Sequence, residues 1–180
     1  MLRRAQGELT VFTFKEGLLS PVAHDLRLRA SGASAELEGE NLVVRLPLDE
    51  LRVEGVMRSG VLDPRGLSPA QYAEIERAVR TEVLHTDRFP EASYRGRCTE
   101  TSDQFSVTGE LELSGRRVAL SGQGRRSLHE YKLSLELVPS RWGIAQYRAL
   151  LGAIRLKDAV RVEVSFREAV FGGSAPAPLK

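Results

Sequence analysis

Apolar and polar residues alternate along most of this chain, which is the pattern of β-strands that bury one face and expose the other. The alternating runs are short, and turn residues such as Gly, Asn and Ser separate several of them. Strands are predicted at residues 9–14, 22–30, 33–37, 42–48, 92–98, 105–113, 116–122, 131–137 and 160–166. Their number and spacing indicate an antiparallel sheet.

The run from residue 22 to residue 30 shows the alternation most clearly. Its predicted inward set is Val22, His24, Leu26, Leu28 and Ala30, and its predicted outward set is Asp25, Arg27 and Arg29. A shift of one residue in strand register would exchange the two sets, so the assignment can be tested directly.

Only one sustained run has the period of an α-helix. Ser68 provides an N-cap, Pro69 suits the first helical position, and Gln71 completes a capping box. The apolar residues at helical spacing are Tyr72, Ile75, Val79 and Val83. The pattern therefore predicts one amphipathic helix of about four turns between residues 68 and 86.

These elements predict a mainly β fold, a single antiparallel β-barrel of about eight strands with one amphipathic helix packed on it. Closure buries the apolar face of every strand and leaves no exposed edge. Side chains can fill the interior of such a barrel, or it can hold one elongated ligand. Residues 1–170 are predicted to form one domain, and the Pro- and Gly-rich residues 171–180 a disordered C-terminal tail.

Composition excludes several classes of partner. The 26 basic and 24 acidic residues are intermixed, so no basic stripe predicts binding to nucleic acid. No apolar run is long enough to span a membrane, and the first twenty residues lack the pattern of a signal peptide. The single cysteine, Cys98, excludes an internal disulfide. A cytoplasmic protein is predicted.

The sequence contains few residues that suit catalysis or metal binding. Asp25 follows His24 on a predicted strand and should point away from it, so the two do not predict a catalytic triad with a serine. His85 and Asp87 resemble a metal-ligand pair, but the chain has only three histidines and no second cluster. Cys98 is predicted to be a small buried group. No enzymatic activity, cofactor or metal is predicted.

Three groups of motifs together resemble the YceI-like family. They are the strand that holds His24, the segment FPEASY at 89–94 followed by VTGEL at 107–111, and the segment SRWGI at 140–144 followed by LLGAIRLKDAV at 150–160. They occur in the order and at the separations typical of that family, and the resemblance covers roughly residues 8–168.

The resemblance implies a lipocalin-like barrel that binds a long apolar ligand of the polyisoprenoid or fatty-acyl type in its lumen without catalysis. The implied partner is an isoprenoid-like or acyl-chain lipid, and a homodimer is compatible with the sequence. The predicted ligand-binding residues are His24, Leu26, Leu28, Tyr94, Leu111, Leu133, Leu135, Trp142 and Val162.

Two questions stay open at this point. His24 could bind the polar end of a ligand, or it could be a core histidine whose ring is hydrogen-bonded within the protein. Likewise, the chain could be a structural or interaction module whose barrel is filled by side chains and holds no lipid.

Overall fold

The structure is a computed structural model that describes residues 2–16, 24–149 and 154–168. Its strands are β1 (Leu2–Thr13), β2 (Lys15–Glu16), β3 (Asp25–Glu38), β4 (Asn41–Pro47), β5 (Arg52–Arg58), β6 (Val61–Asp63), β7 (Glu91–Glu100), β8 (Gln104–Leu113), β9 (Arg116–Ser127), β10 (Glu130–Leu137), β11 (Arg148–Ala149), β12 (Ile154–Leu156) and β13 (Val160–Glu168). The helical elements are α1 (Pro69–Ala78), a π-helical turn (Val79–Val83) and a 3-10 turn (Pro139–Trp142). Val22 and the predicted tail 171–180 lie outside the described residues.

Eight antiparallel strands close into a barrel. They follow the order β1-β13-β10-β9-β8-β7-β4-β3, and β3 pairs back with β1. Each barrel strand therefore has a neighbour on both sides, which removes the exposed edges that an open sheet would present. The predicted mainly β fold, with one antiparallel barrel and one principal helix, is confirmed.

A bulge in β3 joins two alternating runs that the sequence pattern predicts as separate strands. Along the pairing with β1, the register passes from Ser31 directly to Ala33, and the intervening Gly32 has a φ of 86°. The extra residue allows both Ala30 and Ala33 to be buried, at 1% and 0% exposure. The predicted strands 22–30 and 33–37 are thus one bulged strand over their described residues.

The second edge of β3 has two partners, and α1 contacts one of them. The later half of β3 pairs with β4 in the barrel, while its first half pairs with β5, which in turn pairs with β6. Glu76 of α1 accepts a hydrogen bond from the backbone N–H of Val53 in β5, at 2.9 Å. This contact ties α1 to β5, beside the barrel.

The helix begins as the sequence predicts. Ser68 Oγ accepts from the N–H of Gln71 at 3.3 Å, and Gln71 Oε1 accepts from the N–H of Ser68 at 2.9 Å, which is the complete capping box. The Tyr72 hydroxyl donates to the carbonyl of Pro64 at 2.8 Å. No helix in the described ranges 2–16, 24–149 and 154–168 is long and apolar enough to cross a membrane.

The orientation of β3 is confirmed for its leucines and corrected for its charged residues. Leu26 and Leu28 are buried, as predicted. The predicted solvent-exposed set is instead half-buried: Asp25, Arg27 and Arg29. Because β5 lies alongside, Arg27 pairs with Glu54 at 2.6 Å and Arg29 pairs with the same carboxylate at 3.4 Å.

Candidate functional site

The barrel encloses a lumen that consists of two adjoining cavities. The narrow compartment has a volume of about 140 Å³ and the wide compartment a volume of about 510 Å³. Four residues line both compartments and form a waist between them: Leu46, Leu111, Leu137 and Val162. Two of the predicted site residues, Leu111 and Val162, therefore lie at the waist.

Inward-facing residues from all eight barrel strands line the narrow compartment. Three further predicted site residues lie here, namely Tyr94, Leu133 and Leu135. Cys98 also borders this cavity, and burial raises the pKa of its thiol to about 11. The thiol is therefore neutral near pH 7 and acts as a small, weakly polar lining group, in agreement with the prediction that it is buried.

A group of paired polar side chains, which we call the end network, borders the far end of the narrow compartment. Its members are Arg3, Glu100, Arg126, Tyr131 and Glu168. Arg3 pairs with Glu100 at 2.7 Å and with Glu168 at 2.9 Å. The Tyr131 hydroxyl accepts hydrogen bonds from Arg3 at 2.9 Å and Arg126 at 3.0 Å, and it donates to Glu168 at 2.9 Å.

The charges of the end network balance, because it contains two arginines and two glutamates. The hydrogen bond to Glu100 raises the pKa of Arg3 further above its usual value, although burial acts in the opposite direction. Sequence reasoning did not find this network. Its members stand at the ends of different strands, and only closure of the barrel brings them together.

Two aromatic rings narrow the lumen next to the end network. The rings of Phe105 and Tyr131 meet edge to face, with their centroids 5.5 Å apart. Phe105 lies against Gly124, where a Cβ atom would come within 2.3 Å of the Phe105 ring. The absence of a side chain at Gly124 thus provides the space that this ring occupies.

The wide compartment lies at the opposite end of the barrel, beneath α1. Three predicted site residues line it, namely His24, Leu26 and Leu28. Apolar residues such as Ile75 of α1 and Val79 of the π-helical turn line it as well. His24 is half-buried beside this cavity. The structure thus places eight of the nine predicted site residues along one lumen.

The wide compartment also has a polar part that sequence reasoning missed, apart from His24. Its polar lining residues are Thr13, His24, Gln71, Glu74, Gln146, Tyr147 and Asp158. Gln146 Nε2 donates to Glu16 at 2.7 Å and to the carbonyl of Leu156 at 2.6 Å, which holds its amide beside the cavity. Most of these residues come from α1 and from the segment 145–158, so strand alternation carries no signal for them.

Trp142, the ninth predicted residue, lines neither compartment. Its side chain is almost completely buried, and its indole Nε1 donates to the carbonyl of Leu111 at 2.8 Å. The Arg141 guanidinium lies over the ring, 5.5 Å from its centroid. Trp142 therefore fastens the 3-10 turn to the backbone of β8 at the waist.

Within the ranges that the structure describes, no group of three His, Cys, Asp or Glu side chains is arranged to hold a metal ion. No family model matches the sequence, and no curated protein matches it.

Solved structures do match the fold. A polyisoprenoid-binding domain from Saccharophagus degradans, implicated in plant cell wall breakdown, has a TM-score of 0.64 at 11% identity, over 93% of this chain and 98% of that one. BcnA of Burkholderia cenocepacia has a TM-score of 0.60 at 9% identity, over 89% of this chain and 94% of that one. A YceI protein from Campylobacter jejuni has a TM-score of 0.42 at 10% identity, over 71% and 72% of the two chains. The first two likenesses show that this chain has the barrel fold that its resemblance to the YceI-like family implied.

Proposed function

We propose that this protein binds one long apolar ligand, of the polyisoprenoid or fatty-acyl type, in its barrel lumen and catalyses no reaction on it. The observation that carries the proposal is an apolar lumen of two adjoining compartments, one of which is bordered at its end by the paired side chains of the end network. The fold shared with a protein described as a polyisoprenoid-binding domain supports the same conclusion.

The two ends of the lumen suit the two ends of such a ligand. The polar groups of the end network are already paired with one another, so they offer little to a ligand headgroup. The wide compartment instead has several polar side chains at its wall. The apolar tail therefore enters the narrow compartment, and the polar end of the ligand remains in the wide compartment near His24.

Affinity in such a site comes chiefly from apolar burial, at roughly 25 cal/mol per Å² or about 0.8 kcal/mol per methylene. Each methylene that fits inside should therefore lower the Kd about fourfold. The proposed tail contacts are Leu26, Leu28, Tyr94, Leu111, Leu133, Leu135 and Val162. Trp142 then supports the wall without touching the ligand.

The proposal is tested by introducing a bulky side chain into the lumen. Leu28 is only 3% exposed and borders the wide compartment, so Leu28→Trp should narrow the cavity while keeping it apolar. Val61→Trp is the matched control, because Val61 is 69% exposed on β6. The overpacking cost at Leu28 is about 1–3 kcal/mol, so cooperative melting of each variant is established first.

Wild type and both variants are titrated with a fluorescent prenyl or fatty-acyl probe, and an organic extract of the purified protein is examined by mass spectrometry. We expect saturable binding by wild type and Val61→Trp, and binding at least about tenfold weaker by Leu28→Trp. Equal binding by a folded Leu28→Trp protein would exclude the lumen as the site. Failure of wild type to bind would favour the alternative of a structural or interaction module without a lipid ligand.

A further inference from the structure

We infer that the wide compartment selects ligands whose polar end is uncharged and discriminates against acidic ends such as carboxylate or phosphate. This inference rests on the proposed function, since it concerns the headgroup of the ligand that the lumen would hold. It arises from the sign of the charged side chains that line the wide compartment in the described part of the chain, not from its apolar walls.

The charged side chains that line the wide compartment in the described part of the chain are both acidic. They are Glu74 on α1 and Asp158 just before β13, and no lysine or arginine lines the cavity in this part of the chain. Residues 17–23 and 150–153 contain no lysine or arginine in the sequence. An anionic headgroup would therefore enter a cavity whose charged lining has the same sign.

The electrostatic environment of Tyr147 agrees with this charge distribution. Burial raises the pKa of its phenol, and the carboxylates of Glu82 and Glu74 raise it further, against a smaller opposing effect of Arg77. The Glu74 carboxylate on α1 is thus near enough to the phenol to make its ionisation less favourable, while Glu82 is paired with Arg77 at 3.0 Å. Glu74 also lines the wide compartment, where its charge would oppose a bound carboxylate.

The remaining polar groups at the wall of the wide compartment include uncharged side chains such as Thr13 and Gln146. The Thr13 hydroxyl is buried and has no hydrogen-bond partner among the described residues. Gln146 holds its amide at the wall through bonds to Glu16 and Leu156. A neutral alcohol, amide or carbonyl group at this wall would bring no charge into the cavity.

The free energy of transfer from water into the cavity differs between a charged and a neutral headgroup. Moving an ionised carboxylate from water into an apolar cavity without a cationic partner is strongly unfavourable, and nearby like charges add to the cost. A neutral amide of the same shape avoids both penalties. A difference of at least about tenfold in affinity between these two headgroups is therefore expected.

The test compares dodecanamide with dodecanoate, because the two ligands have the same chain and nearly the same headgroup shape. Each displaces N-phenyl-1-naphthylamine, a neutral fluorescent probe, from the full chain at about pH 8, where an aliphatic carboxylic acid with a pKa near 4.3 is ionised. We expect dodecanamide to displace half of the probe at a concentration at least about tenfold lower than dodecanoate requires.

Two charge-reversal variants connect the selectivity to the lining carboxylates. Glu74→Lys places a cation at the wide compartment, whereas Glu110→Lys makes the same charge change at an exposed position of β8 that lines neither compartment. The selectivity is measured as the dodecanoate concentration that displaces half of the probe, divided by the corresponding dodecanamide concentration. Glu74→Lys should lower this ratio at least about threefold, and Glu110→Lys should leave it unchanged.

The outcomes separate the inference from the proposed function. Dodecanoate binding as tightly as dodecanamide, or a ratio that Glu74→Lys does not change, would overturn the inference while the lipid-binding function stands. If neither the probe nor either ligand binds to the folded wild-type protein, the proposed function fails and the inference fails with it.

Discussion

Replacement of Gly124 by alanine should weaken the fold at the narrow end of the lumen. Gly124 lies on β9, and a Cβ atom there would come within 2.3 Å of Phe105 Cζ and within 2.5 Å of the Lys132 carbonyl oxygen. The first contact could be relieved by moving the ring, but the second involves the backbone of β10. Because Phe105 also packs against Tyr131, a shift of its ring would disturb the aromatic pair.

The expected magnitude follows from the size of the overlap. Overpacking of this kind costs about 1–3 kcal/mol. For a domain of this length, 1 kcal/mol lowers the Tm by roughly 2–4 °C. Gly124→Ala should therefore lower the Tm by about 2–12 °C.

Gly122 provides a matched control on the same strand. A Cβ atom there would meet Leu133 Cδ1 at 3.1 Å, which is the end of a flexible side chain. Glycine in a strand also costs roughly 0.5–1 kcal/mol relative to alanine, so Gly122→Ala should leave the Tm unchanged or raise it slightly. Thermal unfolding followed by far-UV circular dichroism compares the two variants.

A second substitution identifies the cause of the destabilisation. Phe105→Leu removes the ring atoms nearest to the new methyl group, so it should recover part of the Tm lost in Gly124→Ala. Tm values for Gly124→Ala and Gly122→Ala that agree within about 1 °C would refute the reasoning, because the two sites would then tolerate a Cβ atom equally.

Two further predictions concern single side chains at the lumen. Thr13→Val removes a buried hydroxyl that has no partner in the described residues, so it should keep or raise the Tm; a loss of about 1–3 kcal/mol in the free energy of unfolding would contradict this. For Cys98, folding raises the thiol pKa from 9.0 to about 11, so its contribution to stability is full below about pH 9 and is lost as the pH rises towards 11. Urea unfolding of Cys98→Ala should therefore show a smaller loss of stability between about pH 8 and pH 10.5 than wild type shows, and equal losses would contradict the assignment.

Local sequence predicted the eight barrel strands, the start of the helix and much of the wall of the lumen, but it did not predict β5 and β6. Side chains two residues apart on a strand share a face, so alternation alone places Leu26 and Leu28, or Leu133 and Leu135, on the inside of the barrel. The capping box at Ser68 and Gln71 was equally visible, because it is formed within four consecutive residues. These predictions depend on neighbours in sequence, and they agree with the structure.

Irregular backbone limited what alternation could predict. The bulge at Gly32 changes the inward positions of β3 from even to odd numbers, and this kind of extra residue depends on the register against β1. Trp142 also lies behind the wall, since its indole bonds to the backbone of β8 across 31 positions of sequence. A turn has no repeating pattern of inward and outward positions, so the sequence does not indicate whether an aromatic side chain in it faces the lumen.

Only the tertiary structure determines which residues come together at the two ends of the lumen. Arg3 and Glu168 are 165 positions apart, and they meet because β1 pairs with β13 when the barrel closes. Glu74 and Asp158 come from a helix and a loop, yet both border the wide compartment. Strand periodicity states which face a residue occupies, whereas the depth of a side chain along the lumen and its charged neighbours depend on the order and stagger of all eight strands.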